Sequence, residues 1–230
     1  MNQGELFENT ITREAAFALF SGSGSGNAEL PESALFELSV DAFYSALYAR
    51  MSELPIEGEI SRYIEKVAKA GAGSDRTAAA KAAFDRGDPD VLTVLKASGR
   101  VQHEIHRLTG LLRFKSDNKG IYTARCSPDH FILPALADHF TARFGETPWA
   151  IIDEKRNICL YREINCPPKL IPLSEPDLLP STSNDEGQFE ELWKLYHSSV
   201  NNEAKNNPRL QRQFMPERYH KYLPEMERIR

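Results

Sequence analysis

The sequence predicts an α+β fold: a helical N-terminal half, a central β-β-α-β-β antiparallel sheet with a covering helix, and C-terminal helices. Three observations carry this. Apolar residues in the first half recur at helical spacing, two pairs of alternating segments flank a helical stretch near the middle, and cap-plus-proline pairs reopen helices near the end. The 230 residues, 41% of them hydrophobic and 27% charged, suffice for a real core and exclude a largely disordered or fibrous chain.

In chain order, residues 13–20 read as a short helix, followed by the linker-like run Ser21-Gly22-Ser23-Gly24-Ser25-Gly26. That run lacks the Gly-Lys-Ser/Thr ending of a phosphate-binding loop and is set aside as a flexible insertion. Ser39 can cap a helix carrying Phe43, Leu47 and Met51 four residues apart. Residues 56–70 form a second helix with Ile60, Ile64 and Val67 on one face, and residues 77–86 an alanine-rich third. Asp88-Pro89 opens a helix over 89–108, with Gly99 tolerated at some cost in propensity.

The period then changes. Leu111–Lys115 and Ile121–Cys126 alternate around the turn cluster 116–120, and Pro148–Asp153 and Ile158–Tyr161 alternate around Glu154-Lys155-Arg156-Asn157. Residues 132–144 between them are helical, with Pro134 in the first turn and Leu133, Leu136, Phe140 and Phe144 on one face. The proline-rich stretch 167–180 is an extended connector. Phe189, Leu192, Trp193, Tyr196 and Val200 mark a further amphipathic helix, and Asn207-Pro208 and Met215-Pro216 start the last short ones. The organisation is a mostly helical region 1–98 with the Gly/Ser insertion at 21–26, and an α+β region 99–230, or one integrated domain.

The net charge is −5, unevenly distributed. Residues 1–98 hold 9 basic and 15 acidic side chains, residues 99–170 hold 11 and 8, residues 171–200 hold 1 and 6, and residues 201–230 hold 7 and 4. The basic stretches permit a local anion-binding face on an acidic protein, against the alternative of ordinary surface mixing. Three cysteines, Cys126, Cys159 and Cys166, with no C-x-x-C pair, argue against a disulfide framework or a zinc ribbon and for buried, reduced thiols. No apolar run approaches the ~18 residues of a membrane helix, and the acidic start Met1-Asn2-Gln3-Gly4-Glu5 lacks a secretory pattern. The expectation is a cytoplasmic protein with no membrane partner.

Three blocks carry a family resemblance. The first is Val101–Phe114, with His103, Glu104, His106, Arg107 and Arg113. The second is Ser127-Pro128-Asp129-His130-Phe131-Ile132-Leu133-Pro134, continuing through His139-Phe140 and Arg143 to Trp149, Ile151, Asp153, Lys155 and Arg156. The third is Glu191-Leu192-Trp193-Lys194, Lys205 and then Asn207–Leu223. Over residues 100–225 these blocks resemble the bacterial "probable DNA metabolism protein" family, whose members occur beside a radical-SAM DNA modification or repair protein. A related domain is joined to some uracil-DNA glycosylase-like proteins. The Gly/Ser insertion departs from that pattern. The resemblance implies a process, DNA metabolism, and a radical-SAM partner, without supplying a reaction.

The residues themselves suggest nucleic-acid contacts. Arg107 and Arg113, with His106, bracket the passage from the long helix into the first strand, where a guanidinium fork suits phosphate. The competing reading pairs Arg113 with Glu104 or Asp129. Arg209, Arg212 and Arg218 punctuate Gln211, Gln213, Phe214, Tyr219 and Tyr222, the residue types that contact phosphates, base edges and base faces. The bland alternative is a lid whose rings fill a groove while its arginines stay outside. Asp129 and His130, at a strand-to-helix junction, form a candidate acid/base pair, or else a cap with a surface histidine. Trp149 is read as core rather than a stacking ring. No metal site and no cofactor are predicted, and His103 and His106, three apart, miss the zinc-protease spacing.

Three functions are therefore carried forward: a DNA-metabolism accessory protein that binds nucleic acid or a damaged nucleotide beside a radical-SAM protein; a protein–protein adaptor that never touches DNA; and a glycosylase-type enzyme using Asp129 or His130. The first requires side chains as far apart as Arg107 and Arg218 to meet on one electropositive hollow.

Overall fold

The computed structural model describes residues 32–116, 120–173 and 207–229. The expected helix at 13–20, the Gly/Ser run 21–26, the amphipathic helix at 189–200 and most of the turn cluster at 116–120 lie outside the described residues. The described chain contains α1 (Glu32–Leu38), α2 (Val40–Met51), α3 (Glu57–Ala70), α4 (Arg76–Ala83), α5 (Pro89–Leu111), β1 (Lys115–Ser116), β2 (Tyr122–Cys126), α6 (Leu133–Phe144), β3 (Trp149–Asp153), β4 (Ile158–Arg162), β5 (Lys169–Pro172) and α7 (Pro208–Phe214). Two 3-10 helices, Glu217–Tyr222 and Pro224–Ile229, follow α7. It is a mixed helix-and-strand protein, as the sequence predicts. No helix among the described residues is long and apolar enough to cross a membrane.

Two units divide the chain. The first comprises residues up to Ile105 together with Asp129–Ile132, and the second comprises His106–Pro128 and the chain from Leu133 onward. The boundary thus falls inside α5.

In the first unit the helix starts follow from side-chain chemistry. Ser39 Oγ accepts the Ala42 N–H at 3.2 Å and caps α2, whose residues from Ala42 to Ala49 are all buried. The α3 stripe is Ile60, Tyr63, Ile64 and Val67, all buried. Asp88 caps α5 through Oδ1, which accepts the N–H groups of Asp90 and Val91 at 2.9 and 3.1 Å, while its Oδ2 takes Lys66 Nζ at 2.6 Å. Arg62 grips Asp90 with two hydrogen bonds of 2.8 Å, so a pair of cations on α3 closes over the start of α5.

The second unit holds a five-stranded sheet in the order β1-β2-β3-β4-β5. The expected all-antiparallel pairing fails at one place: β2 and β3 are parallel, in register from Tyr122↔Trp149 to Cys126↔Asp153, while the other neighbours are antiparallel. The reason is α6, which carries the chain back along the sheet, so that β3 begins at the same end as β2. Two further corrections concern boundaries. Residues 111–114 do not belong to the first strand, because α5 runs to Leu111 and Leu112 N–H still reaches Leu108 O at 3.1 Å. Burial of Val101, Ile105, Leu108 and Leu112 at helical spacing outweighs the short alternation read there. Part of the proline-rich connector is β5, an edge strand, where proline's missing N–H is tolerated.

All five residues of β3 are buried, so this strand is covered on both faces. On one face Trp149 packs against Phe140 of α6 at 6.2 Å between ring centres, and Phe140 meets Phe114 at 5.0 Å. On the other, Ala150, Ile152 and Cys159 form a cluster with Tyr161, Ile171 and Leu173. Burial pushes the Cys159 thiol up to about 11, an unreactive state. Cys126 is buried too, but Cys166 is exposed, contrary to the expectation of three buried thiols. Since Phe140 is fully buried among four other rings, Phe140→Ala should lower stability by about 3–5 kcal/mol, read as a shift in the urea unfolding midpoint at unchanged slope.

Candidate functional site

The ten residues expected to act divide between the two units. Asp129 and His130 belong to the first, while His106, Arg107, Arg113, Arg209, Gln211, Arg212, Arg218 and Tyr219 belong to the second.

Asp129 and His130 are held by a buried carboxylate. Glu104, 2% exposed, accepts the Asp129 N–H on Oε1 and the His130 N–H on Oε2, both at 2.9 Å. Phe131 N–H donates to Met51 O at 3.0 Å, and His130 Nδ1 lies 3.0 Å from Ser52 O. A carbonyl only accepts, so Nδ1 carries the proton and points at backbone. His130 is half-buried rather than a surface side chain, and its Nδ1 is oriented by a carbonyl rather than by the neighbouring carboxylate. This geometry anchors a loop, and it is not the His–carboxylate contact that the acid/base reading required.

Arg113 is committed elsewhere as well. Its Nη2 and Nε donate to Glu225 Oε1 at 2.6 and 3.2 Å, and its Nη1 donates to Gly110 O at 2.8 Å. The Glu225 side chain is 2% exposed. The sequence pointed to Glu104 or Asp129 as the partner. The observed one is 112 positions away, a separation that no local pattern reveals. The role of Arg113 is therefore to neutralise a buried carboxylate in the C-terminal segment.

That segment, residues 207–226, has an inner and an outer side. Tyr219, Leu223 and Met226 are buried. Tyr219, 1% exposed, cannot offer its face to a base, so its expected stacking role is corrected. Its hydroxyl accepts Arg218 Nη2 at 3.0 Å, and the Arg218 guanidinium lies 4.7 Å from the ring centre. Gln211 turns its amide toward Met226 Sδ at 3.8 Å, a weak contact. His220 Nε2 lies 2.9 Å from Met215 O. On the outer side Arg209, Arg212, Gln213 and Phe214 are exposed on α7, which Asn207 caps through its side-chain oxygen to the Leu210 N–H at 3.1 Å. Phe214 is 63% exposed. Its position inside the third sequence block marked it, but the sequence does not show which ring of that block faces out. His106 is exposed and Arg107 half-buried near the end of α5.

A second anchor fixes this segment. Glu154, in the β3–β4 turn, accepts Tyr222 Oη at 2.7 Å, Lys221 Nζ at 3.3 Å and, on its other oxygen, Arg125 Nη1 at 3.4 Å. These donors, the tyrosine hydroxyl foremost, hold its carboxyl below the usual range. Burial, foremost, pushes the Tyr222 hydroxyl up to about 12. The turn itself is built by Asp153, fully buried, whose Oδ1 accepts the N–H groups of Lys155 and Arg156 and whose Oδ2 pairs with Arg156 Nη1 at 2.7 Å. Asn157 takes the left-handed conformation, φ 51°, that ends it. Among the described residues no three His, Cys, Asp or Glu side chains are grouped to hold a metal.

The family model described as DUF4130, a domain of unknown function, matches residues 59–225. The chain belongs to this family. The DUF4130 region begins within α3, well before the sequence blocks at 100–225, and ends at Glu225, so it contains both partners of the Arg113–Glu225 pair. No curated protein and no solved structure matches the chain.

Two outcomes follow for this DUF4130 chain. Arg113→Ala should cost about 3 kcal/mol in urea unfolding, the lower end for stranding a buried carboxylate, because the arginine is partly exposed. A change under 1 kcal/mol would deny the pair its structural role. The folded-state value of Glu154 lies below its unfolded one, so its contribution is present above about pH 4.5 and is lost as pH falls through the folded value. Urea midpoints taken from about pH 6 to about pH 3 should therefore fall less steeply in Glu154→Gln than in the wild type.

Proposed function

We propose that this chain is an accessory protein of DNA metabolism that binds nucleic acid through its second unit and works beside a radical-SAM DNA repair or modification protein. One observation carries the nucleic-acid part. The charge segregates by unit: over the full sequence the first unit holds 10 basic and 17 acidic side chains, and the second 18 and 16. The net charge of −5 is thus carried by the first unit, and no net negative charge falls on the second. Within it, Arg209 and Arg212 stand exposed three residues apart on α7, and Arg107 and Arg209 have no ion-pair partner among the described residues. Such guanidinium groups suit phosphate. The DNA-metabolism and radical-SAM parts rest on the resemblance of the three sequence blocks.

The acidic first unit favours a second role, as the face that docks a protein partner. The two roles use different units.

The nucleic-acid role is tested by fluorescence anisotropy with labelled oligonucleotides at several salt concentrations. Affinity should fall with salt at a log–log slope of about −0.9 per phosphate neutralised on duplex DNA, and Arg209→Ala with Arg212→Ala should reduce that slope by about 1 per residue. Binding that is absent, or indifferent to salt, removes this reading. Copurification with the radical-SAM protein that survives nuclease treatment and the double substitution would leave the adaptor role alone.

A further inference from the structure

We infer that the ligand of α7 is a single strand of nucleic acid, gripped by stacking one base on the Phe214 ring. This rests on the nucleic-acid reading above and narrows it to a strand type. Leu210 and Phe214, four residues apart and therefore side by side on the helix, are 48% and 63% exposed. They are among the few large apolar side chains that the described chain leaves in water, and Phe214 is the most exposed of those. Arg209, Arg212 and Gln213 are exposed on the same seven-residue helix. A ring interleaved with guanidinium groups is the composition of a single-strand platform, in which arginines follow the backbone and an aromatic face takes a base.

Size and geometry favour this occupant. The helix is about 10 Å long, the rise of about three stacked nucleotides. A duplex keeps its base faces covered by their neighbours and presents only edges and phosphates, so an outward ring finds nothing to stack on. A single strand offers a π-face at every base, whatever its identity. A protein partner needs about 1,000 Å² of well-packed surface, which a two-residue apolar strip flanked by arginines does not approach. The charge selects against an apolar or cationic partner and for a polyanion. Of the other rings of the segment, Tyr219 is spent on the core and Tyr222 is held by Glu154 with Lys221 over its face, and this leaves the stacking role to Phe214.

The test uses the full chain, fluorescein-labelled oligo(dT) and a labelled hairpin duplex of equal length, followed by anisotropy. Oligo(dT) should bind more tightly than the duplex. Phe214→Ala should weaken oligo(dT) binding by about 5- to 150-fold, the equivalent of one lost base stack, with duplex affinity and salt slope unchanged. Phe214→Trp should restore binding and show added tryptophan quenching with oligo(dT). Equal losses on both probes, no loss on oligo(dT), or a wild-type preference for duplex would overturn the inference. So would concentration-dependent self-association abolished by Phe214→Ala, or a lowered melting temperature with unchanged oligo(dT) affinity, since the strip would then be covered by a second copy or by the chain's own residues. Salt-dependent duplex binding without a single-strand preference sinks this inference alone, whereas no salt-dependent binding to either probe sinks the underlying reading with it.

Discussion

The second unit depends on one ion pair. Glu225 sits in the C-terminal segment with its carboxylate almost fully removed from water, and Arg113 brings it two hydrogen bonds from the end of α5. A lone buried carboxylate would cost several kcal/mol, so the segment can dock only where that guanidinium waits. The same arginine also takes Gly110 O, one of the carbonyls left open where α5 runs out. One side chain thereby ends a helix and fixes a segment more than a hundred positions away. The Glu154 cluster, with Tyr222, Lys221 and Arg125, is a second clamp on the same segment. With Tyr219, Leu223 and Met226 packed inward, the two clamps determine which side of residues 207–226 faces out.

Much of the helical part was legible in the sequence, because helix starts are local chemistry. Ser39, Asp88-Pro89 and Asn207-Pro208 each announce a cap that the structure realises, and the α3 stripe reads directly from its period. The sheet was legible only in part. Alternation identifies strands but not their partners, and the parallel β2–β3 pairing follows from the path of α6, which no strand pattern encodes. Residues 111–114 misled for a related reason: four residues are too few to separate period 2 from period 3.6, and the buried stripe of α5 decides. Tyr219 and Phe214 show the limit for the site. Both are aromatic residues five apart in one block rich in arginine and glutamine, yet one is core and the other is surface. Only the docking of the segment distinguishes them.

Several residues that carry the family resemblance have architectural work that explains their chemistry without invoking a ligand. Glu104 satisfies two loop N–H groups at once, which a neutral side chain could do only at the cost of an unmatched donor. Asp153 and Arg156 build the β3–β4 turn, and Arg156 also reaches Pro128 O, tying that turn to the end of the β2 segment. A histidine whose Nδ1 faces a carbonyl, and an arginine on a buried glutamate, are positioned for stability. Motif membership alone therefore does not identify a functional side chain. Exposure and the absence of an internal partner do, and by that criterion interest moves from His130 and Arg113 to Arg209 and Phe214.

The charge balance survives the same scrutiny. Among the described residues of the second unit, the buried carboxylates Asp153 and Glu225 are each paired with an arginine of that unit. Removing these pairs takes one positive and one negative charge at a time, so the excess of basic over acidic side chains is unchanged by them and must be carried by the remaining groups. With these acids clamped inside by their own arginines, Arg209 and Arg212 stand at the surface, where a solvated polyanion meets them without desolvating a buried ion. An acidic protein can in this way present exposed guanidinium groups, and the sum over the whole chain is the wrong quantity from which to judge what it binds.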